Sequence, residues 1–263
     1  MTNRWKPLVE CVEGIAGQVD AGVSVIAPDG AAWNVQGDVL FPSASTAKIP
    51  IMIEIWRMID RGEAALDDMH TVSTADKSNG SGVLRLMHSG LALSLGDLLY
   101  LMMAISDNTA TNMLMRLAGI DRINATMREL GMTHSILGRP MVGRLAIEGE
   151  QENLATPSDY TRVIDAIWTG SAASPEACTA MIRTLEKQQN TRRIGHFVPE
   201  ARGYRWGSKT GTNPGIVNDA GFVIGPQGRM LISVYLRGVD DKVEGERMIA
   251  RIARSAMQAC GLH

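Results

Sequence analysis

The chain has 263 residues, of which 45% are hydrophobic, enough for one large domain or two closely packed ones with a substantial core. Its formal net charge of −2 and the lack of a basic stripe argue against nucleic acid as a partner. No apolar run approaches membrane-spanning length, and the three cysteines and five histidines show no metal-ligand spacing, so we expect no membrane span, no metal and no other cofactor.

Both ends of the chain show strand patterns flanked by helical ones. An amphipathic stretch opens the sequence, and Asp29-Gly30 marks a tight turn between the first two strands. The predicted elements are a helix over 3–19, strands over 22–27, 31–35, 204–210, 219–224 and 230–236, and a helix over 244–259. We expect these strands to form one antiparallel sheet covered by the first and last helices.

The middle of the chain is predicted to be helical. Pro50 is tolerated only near a helix start, so a helix should begin around Ser45. Further helix starts and stops are predicted at Ser94, Gly119, Gly131, Thr156 and Ser174. Residues 132–153 show no period, and an irregular connection of this length is usually functional or mobile. We expect an α/β domain of residues 1–40 with 190–263, an inserted all-helical domain of 41–189, and an active site at their interface.

The helix predicted at Ser45 begins with the motif Ser45-x-x-Lys48. The two side chains lie one turn apart on one face, within reach of each other, and Ser45 lies at the positive end of the helix dipole. A serine hydroxyl becomes a nucleophile when a neutral amine takes its proton. Taken alone, however, the motif is more typical of an ordinary serine cap beside a solvated lysine.

Two further tripeptides give this motif its context. Ser106-Asp107-Asn108 lies at a break between two predicted helices, and Lys209-Thr210-Gly211 lies on the first strand of the terminal sheet. In this order and spacing, the three motifs resemble the class A β-lactamase family of penicillin-recognising SxxK serine hydrolases. The resemblance covers nearly the whole chain and implies an α+β fold: a three-layer α-β-α sandwich with an antiparallel five-stranded sheet and an inserted all-helical domain.

The resemblance also implies catalytic roles. Ser45 would attack an activated amide carbonyl and form an acyl-enzyme, and Lys48 would take part in removing its proton. Ser106 would relay a proton to the leaving nitrogen. Lys209, a second cation aimed at the same cleft, would depress the pKa of Lys48 and help keep it neutral.

Substrate binding would fall to the remaining motif residues. Lys209 and Thr210 would hold a substrate carboxylate, and Asn108 would hydrogen-bond the amide of the acyl side chain. The backbone N–H groups of Ser45 and Thr212 would form the oxyanion hole.

The resemblance fails in the irregular loop. Counting from the anchors of the loop places the family's glutamate, which activates the deacylating water, on or near Met141, and its water-holding asparagine near Leu145. Neither side chain can act as a base. Arg139 matches the loop arginine of the family, but Asn153 stands where the family has the aspartate paired with it. Asn112 is either the asparagine that braces this loop or an ordinary surface amide.

Charged side chains near these positions are weaker candidates. Glu148, Glu150 and Glu152 follow later in the loop, and one of them is a candidate deacylation base, although a solvated acidic face explains them better. The pair Arg192-Arg193 could contact an anionic substrate, but a solvated helix end is the better interpretation.

The sequence therefore predicts a serine hydrolase that opens β-lactams or related amides through an acyl-enzyme on Ser45, with atypical deacylation. The alternatives are a cytoplasmic peptidase, amidase or esterase on the same scaffold, a slowly deacylating penicillin-binding protein, and a non-catalytic sensor that stays acylated. The expected partner is a small molecule, and the protein is expected to be a monomer or a weak homo-oligomer. The sequence shows no signal peptide, so we expect a cytoplasmic location, or a periplasmic or secreted one if a leader has been trimmed.

Overall fold

The computed structural model describes residues 3–262; Met1, Thr2 and His263, one of the five histidines, lie outside the described residues. Within residues 3–262 the chain forms helices, strands and short 3-10 turns. The helices are α1 (Lys6–Glu13), α2 (Lys48–Asp60), α3 (Leu95–Ala104), α4 (Asn108–Ala118), α5 (Ile120–Glu129), α6 (Pro157–Thr169), α7 (Pro175–Leu185) and α8 (Lys242–Ala259). The strands are β1 (Asp20–Ile26), β2 (Ala32–Val35), β3 (Phe41–Pro42), β4 (Met69–Val72), β5 (Leu91–Ser94), β6 (Leu154–Ala155), β7 (Arg205–Asn213), β8 (Gly215–Gly225) and β9 (Gly228–Val239).

The main sheet has five antiparallel strands in the order β2-β1-β9-β8-β7. The predicted sheet is thereby confirmed, and its three C-terminal strands run further than their alternation of polar and apolar residues predicted. The motif Lys209-Thr210-Gly211 lies on β7, which is an edge strand of this sheet. One side of β7 is therefore available to other parts of the molecule.

The two faces of the sheet bury separate hydrophobic cores. On one face, Val25 packs with Leu8 of α1 and Ile249 of α8. On the other face, Phe222 and Tyr235 pack with the helices of the middle region, among which α6 lies across β1, β8 and β9. Successive side chains of a strand point to opposite faces, which is why one sheet can serve both cores. The result is the predicted three-layer α-β-α sandwich.

The capping signals of the helical region are confirmed. Ser94 Oγ accepts from the Asp97 N–H (3.0 Å) at the start of α3. Thr156 and Ser174 cap α6 and α7 in the same way, and Gly119 follows the last residue of α4 with a φ of 83°. These local signals could be read from the sequence because each one involves residues at most four positions apart.

Three local predictions differ from the structure. The opening helix is shorter than 3–19, since α1 ends at Glu13. Ser45 lies on a 3-10 turn, Ala44–Ala47, and α2 starts at Lys48, so Pro50 falls in the first helical turn, where no intrahelical N–H bond is lost. Two short strand pairs, β3 with β6 and β4 with β5, interrupt the region predicted to be helical. The limits of the two predicted domains stay a prediction.

Candidate active site

Ser45 lies on a 3-10 turn that packs directly against the edge strand β7. The approach is close because β7 has a glycine here: a Cβ on Gly211 would stand 2.8 Å from the Ser43 oxygen and 3.2 Å from the Ser45 nitrogen. Asn218 on β8 holds the same turn, since its Nδ2 donates to the carbonyl oxygens of Pro42 (2.8 Å) and Ser43 (3.2 Å). The sheet therefore positions the backbone of the candidate nucleophile.

Lys48, the first residue of α2, is fully buried beside the serine of the second motif. Its Nζ donates to the backbone oxygen (2.8 Å) and Oγ (2.9 Å) of Ser106, and to Oδ1 of Asn108 (2.8 Å). Burial lowers the pKa of Lys48 well below its usual range, the charge of Lys209 lowers it further, and Asp107 acts in the opposite direction. Burial thus favours the uncharged form of this amine, which lies next to the Ser106 hydroxyl.

Ser106 has a left-handed backbone with a φ of 60°, which is uncommon for a residue other than glycine. The neighbouring carboxylate of Asp107 holds this conformation. It caps α4 by accepting from the Ala110 N–H (3.0 Å), and it accepts from the N–H groups of Val83 (2.6 Å) and Leu84 (2.9 Å). Strained residues of this kind persist where the surroundings over-determine them, often at functional sites.

Lys209 is a second fully buried amine in the same region. Its Nζ donates to the carbonyl oxygen of Thr210 (2.9 Å). Burial lowers the pKa of Lys209 to about 7, while Asp219 acts to raise it and Arg193 to lower it. Because the charge of Lys209 lowers the pKa of Lys48, the two amines are near enough to interact, although one comes from a helix and the other from the sheet.

The interpretation of Arg192-Arg193 as a solvated helix end is wrong for Arg193. Its side chain is 1% exposed, whereas that of Arg192 is 70% exposed. The guanidinium of Arg193 donates to the carbonyl oxygen of Gly211 (2.8 Å), to Oγ1 of Thr212 (2.6 Å) and to Glu246 (3.2 Å). No local sequence signal marks it, because its partners lie 18 to 53 positions further along the chain.

Ser45 opens into a cleft made of two adjoining cavities, a first cavity of about 480 Å³ and a second of about 590 Å³. Four residues line both cavities: Ser45, Ser81, Thr212 and Lys242. Asn108 lines the first cavity, whereas Ser106 and Thr210 line the second. Five of the seven predicted catalytic and binding residues therefore line this cleft. The other two, Lys48 and Lys209, are fully buried and line neither cavity.

The irregular loop borders the first cavity through Met141, which is 6% exposed. Asn112 braces it with two hydrogen bonds: the Met141 N–H donates to Oδ1 (2.8 Å), and Nδ2 donates to the Met141 oxygen (2.8 Å). Ser78 Oγ donates to the same oxygen (2.6 Å). Asn112 is therefore a loop contact rather than an ordinary surface amide, and an apolar side chain lies at the cavity wall. Leu145 lines neither cavity.

The loop arginine is paired differently from the family pattern. The guanidinium of Arg139 contacts Glu152 at 3.1 Å. Asn153 binds the loop backbone instead, since its Oδ1 accepts from the N–H groups of Gly138 (2.8 Å) and Arg139 (3.0 Å). Glu152 thus supplies the carboxylate that pairs with Arg139, whereas the family has this carboxylate one position later, at the place of Asn153.

The three candidate carboxylates of the loop differ in their relation to the cleft. Glu148 is exposed and lines neither cavity. Glu150 pairs with both terminal nitrogens of Arg144 (2.6 and 2.7 Å), which lowers its pKa to about 2, and it also lines neither cavity. Glu152 lines the first cavity, but its oxygens accept from Arg139 and from backbone N–H groups of Ala146 and Asn153. All three stay candidates by prediction only.

Across residues 3–262 no three side chains of the types His, Cys, Asp and Glu gather closely enough to hold a metal ion. None of the helices in that part of the chain combines the length and the apolar character needed to cross a membrane.

Known proteins match this chain over most of its length. The model of the β-lactamase enzyme family matches residues 9–260. A β-lactamase structure from Sphaerobacter thermophilus is 47% identical, with 98% of both chains covered and a TM-score of 0.97. A mutant of PBP-A in an acyl-enzyme complex with penicillin G is 27% identical, with 98% of this chain and 96% of the other covered and a TM-score of 0.88. Ancestral class A β-lactamases share the fold at 25–26% identity. The curated β-lactamase BRO-1 of Moraxella catarrhalis is 24% identical over 73% of this chain, and the match spans 61% of that relative, less than two thirds of its length.

Proposed function

The chain belongs to the β-lactamase enzyme family, and on this basis we propose that it is a serine hydrolase that opens β-lactams or related amides through an acyl-enzyme on Ser45. One observation carries the proposal. The buried amine of Lys48, with its depressed pKa, is hydrogen-bonded to Ser106, and Lys48 directly follows the turn that bears Ser45. Serine needs an adjacent base to act as a nucleophile, and this amine is suited to be that base.

In the proposed acylation step, neutral Lys48 takes the proton of Ser45 as Oγ bonds to the carbonyl carbon. The C–N bond then breaks, and the proton passes through Ser106 Oγ, 2.9 Å from Lys48 Nζ, to the leaving nitrogen. The N–H groups of Ser45 and Thr212 are the proposed oxyanion donors, each worth about 3–4 kcal/mol of barrier. The close packing of the nucleophile turn on β7 supports this pairing.

Substrate binding is proposed for three side chains of the cleft. Lys209 and Thr210 would hold a carboxylate, and the buried guanidinium of Arg193 adds positive charge beside them. Asn108 would bind the acyl side: its Oδ1 accepts from Lys48, and its Nδ2 donates one hydrogen to the Asn79 oxygen (2.8 Å). A second amide hydrogen remains for a substrate carbonyl.

We propose that deacylation is slow. Met141 lines the first cavity and is predicted to lie on or near the position of the family's general base, and the oxygens of Glu152 are engaged by Arg139 and the loop backbone. The same feature favours a second candidate function, a penicillin-binding protein that stays acylated, and the similarity to the PBP-A acyl-enzyme structure supports it. A peptidase, amidase or esterase would use the same cleft with another substrate. The cellular location and the oligomeric state stay predictions.

Intact-protein mass spectrometry after exposure to penicillin G tests the proposal. We expect an adduct on the wild-type protein that persists for minutes or longer, and none on Ser45→Ala. A wild-type protein that never forms an adduct would overturn the acylation proposal, and an adduct lost within seconds would overturn slow deacylation. Steady-state kinetics on nitrocefin, D-Ala-D-Ala peptides and short esters separate the lactamase from the peptidase and the esterase.

A further inference from the structure

The second cavity of the cleft carries an excess of positive charge. Arg192, Arg193 and Lys242 line it, together with a single carboxylate, that of Glu246, although the chain as a whole has a net charge of −2. This carboxylate is already engaged, since Oε1 accepts from Arg193 (3.2 Å) and Oε2 lies 3.6 Å from Arg192. Two positive charges of the wall therefore have no balancing carboxylate within it.

Lys242 is the cation of this wall that is least committed to other groups. It is the first residue of α8, it is exposed, and it lines both cavities. It makes no hydrogen bond or close ion pair with any residue that the structure describes, although its charge acts on Glu246 one turn along the helix. Asp241 beside it caps α8 by accepting from the Val243 N–H (2.8 Å), and Asp240 lines the first cavity only. Lys242 thus presents to the cleft a positive charge that no hydrogen bond or close ion pair within residues 3–262 engages.

The second cavity lies on the leaving-group side of Ser45. It is lined by Ser106, the proposed proton donor to the leaving nitrogen, and by Thr210, the proposed ligand of a substrate carboxylate. Asn108, the proposed ligand of the acyl side, lines the first cavity instead. Extra positive charge in the second cavity therefore acts on the leaving group.

On the basis of the proposed function, we propose that the preferred substrate is an amide of an acidic amino acid, whose leaving amine carries two carboxylates. Lys242 binds the second of these carboxylates. The first carboxylate binds to Lys209 and Thr210. Cleavage breaks the C–N bond, the amine leaves with the proton taken from Ser45, and water later supplies the hydroxyl group of the released acid. Because Lys242 is exposed and screened by solvent, the second carboxylate should raise the acylation rate constant only about fivefold.

Two thioesters with the same benzoylglycyl acyl group test this inference on the whole chain. One has mercaptosuccinate as the leaving group, and the other has its monoamide, which keeps the shape and removes one carboxylate. The loss of thioester absorbance in the first turnover measures the acylation rate constant. We expect wild type to prefer mercaptosuccinate about fivefold at low salt and less at high salt. Lys242→Gln should lose the preference, while Lys6→Gln, which removes an equal charge from a residue that lines neither cavity, should retain it.

The outcomes separate this inference from the proposed function. Equal rates for the two thioesters on wild type, or a preference that survives in Lys242→Gln, would overturn the inference. If penicillin G labels Ser45 but neither thioester reacts, the inference also fails while acylation at Ser45 stands. If neither penicillin G nor a thioester reacts with Ser45, the proposed function itself is wrong.

Discussion

Replacement of Asn112 by alanine tests whether the loop beside the cleft is held by a specific brace. The change removes both hydrogen bonds to Met141, whose carbonyl oxygen keeps Ser78 but whose N–H has no other partner among residues 3–262. Each lost bond is worth about 1 kcal/mol, and Asn112 is half-buried, so water can compensate in part. We expect a loss of about 1–2 kcal/mol in the free energy of unfolding, or about 2–8 °C in Tm. Because Met141 and Ser45 line the same cavity, the rate of penicillin acylation should fall about tenfold.

A matched control is Asn124 of α5, which braces another residue of the same loop. Asn124 makes the same pair of bonds to the backbone of Leu137, each 2.9 Å long, and Leu137 lines neither cavity. Asn124→Ala should therefore cost a similar amount of stability and leave the acylation rate close to wild type. Thermal unfolding and stopped-flow labelling with a fluorescent penicillin measure the two effects. Equal kinetic losses in both variants, or a wild-type Tm in Asn112→Ala, would refute the reasoning.

Three further predictions concern the cleft itself. Since the pKa of Lys209 is about 7, its ammonium group loses a proton as the pH rises above that value. Acylation by a penicillin with a free carboxylate should then decline, whereas acylation by its methyl ester should not. Lys209→Arg should abolish the decline, because a guanidinium stays charged. A pH profile with the same shape for acid and ester would count against a carboxylate-binding role. Gly211→Ala places a Cβ 2.8 Å from the Ser43 carbonyl oxygen, next to the nucleophile. We therefore expect acylation of Ser45 to slow at least about tenfold and the free energy of unfolding to fall by about 1–3 kcal/mol. Gly96→Ala is the control, since its Cβ would have no neighbour nearer than 3.4 Å, and unimpaired acylation in Gly211→Ala would be the contrary result. Met141→Glu places a carboxylate in the cavity of Ser45 and should shorten the lifetime of the penicillin adduct about a hundredfold by general-base catalysis. Mass spectrometry over time measures this lifetime. An unchanged lifetime would contradict the prediction that Met141 lies at or near the position of the family's general base.

Elements marked by local signals could be predicted from the sequence. The capping box at Ser94 and the caps at Thr156 and Ser174 involve residues a few positions apart, and the structure has helices at each. The five strands of the sheet could be predicted because period-two alternation is itself a short-range pattern. The 3-10 turn at Ser45 could not be predicted, since Pro50 limits where the helix begins but says nothing about the backbone before it.

The candidate site shows the same division. The motifs containing Ser45, Ser106 and Lys209 are short and ordered along the chain, so the resemblance could be recognised without coordinates. The burial of Arg193 could not be predicted, because it depends on the Gly211 carbonyl group of β7 and on Glu246 of α8. The partner of Arg139 was not foreseen either, because an irregular loop has no period from which contacts can be inferred.

The sequence by itself determined which side chains are available for chemistry: two serine hydroxyls, two amines and a loop with methionine at or near the place of an acid. Only the tertiary structure decided their chemical state. Ionisation depends on removal from water and on the distance to other charges. Both are set when folding buries Lys209 on the edge strand and Lys48 at the start of α2 beside Ser106. Residues remote in the chain thereby tune one another through space, which no local pattern encodes.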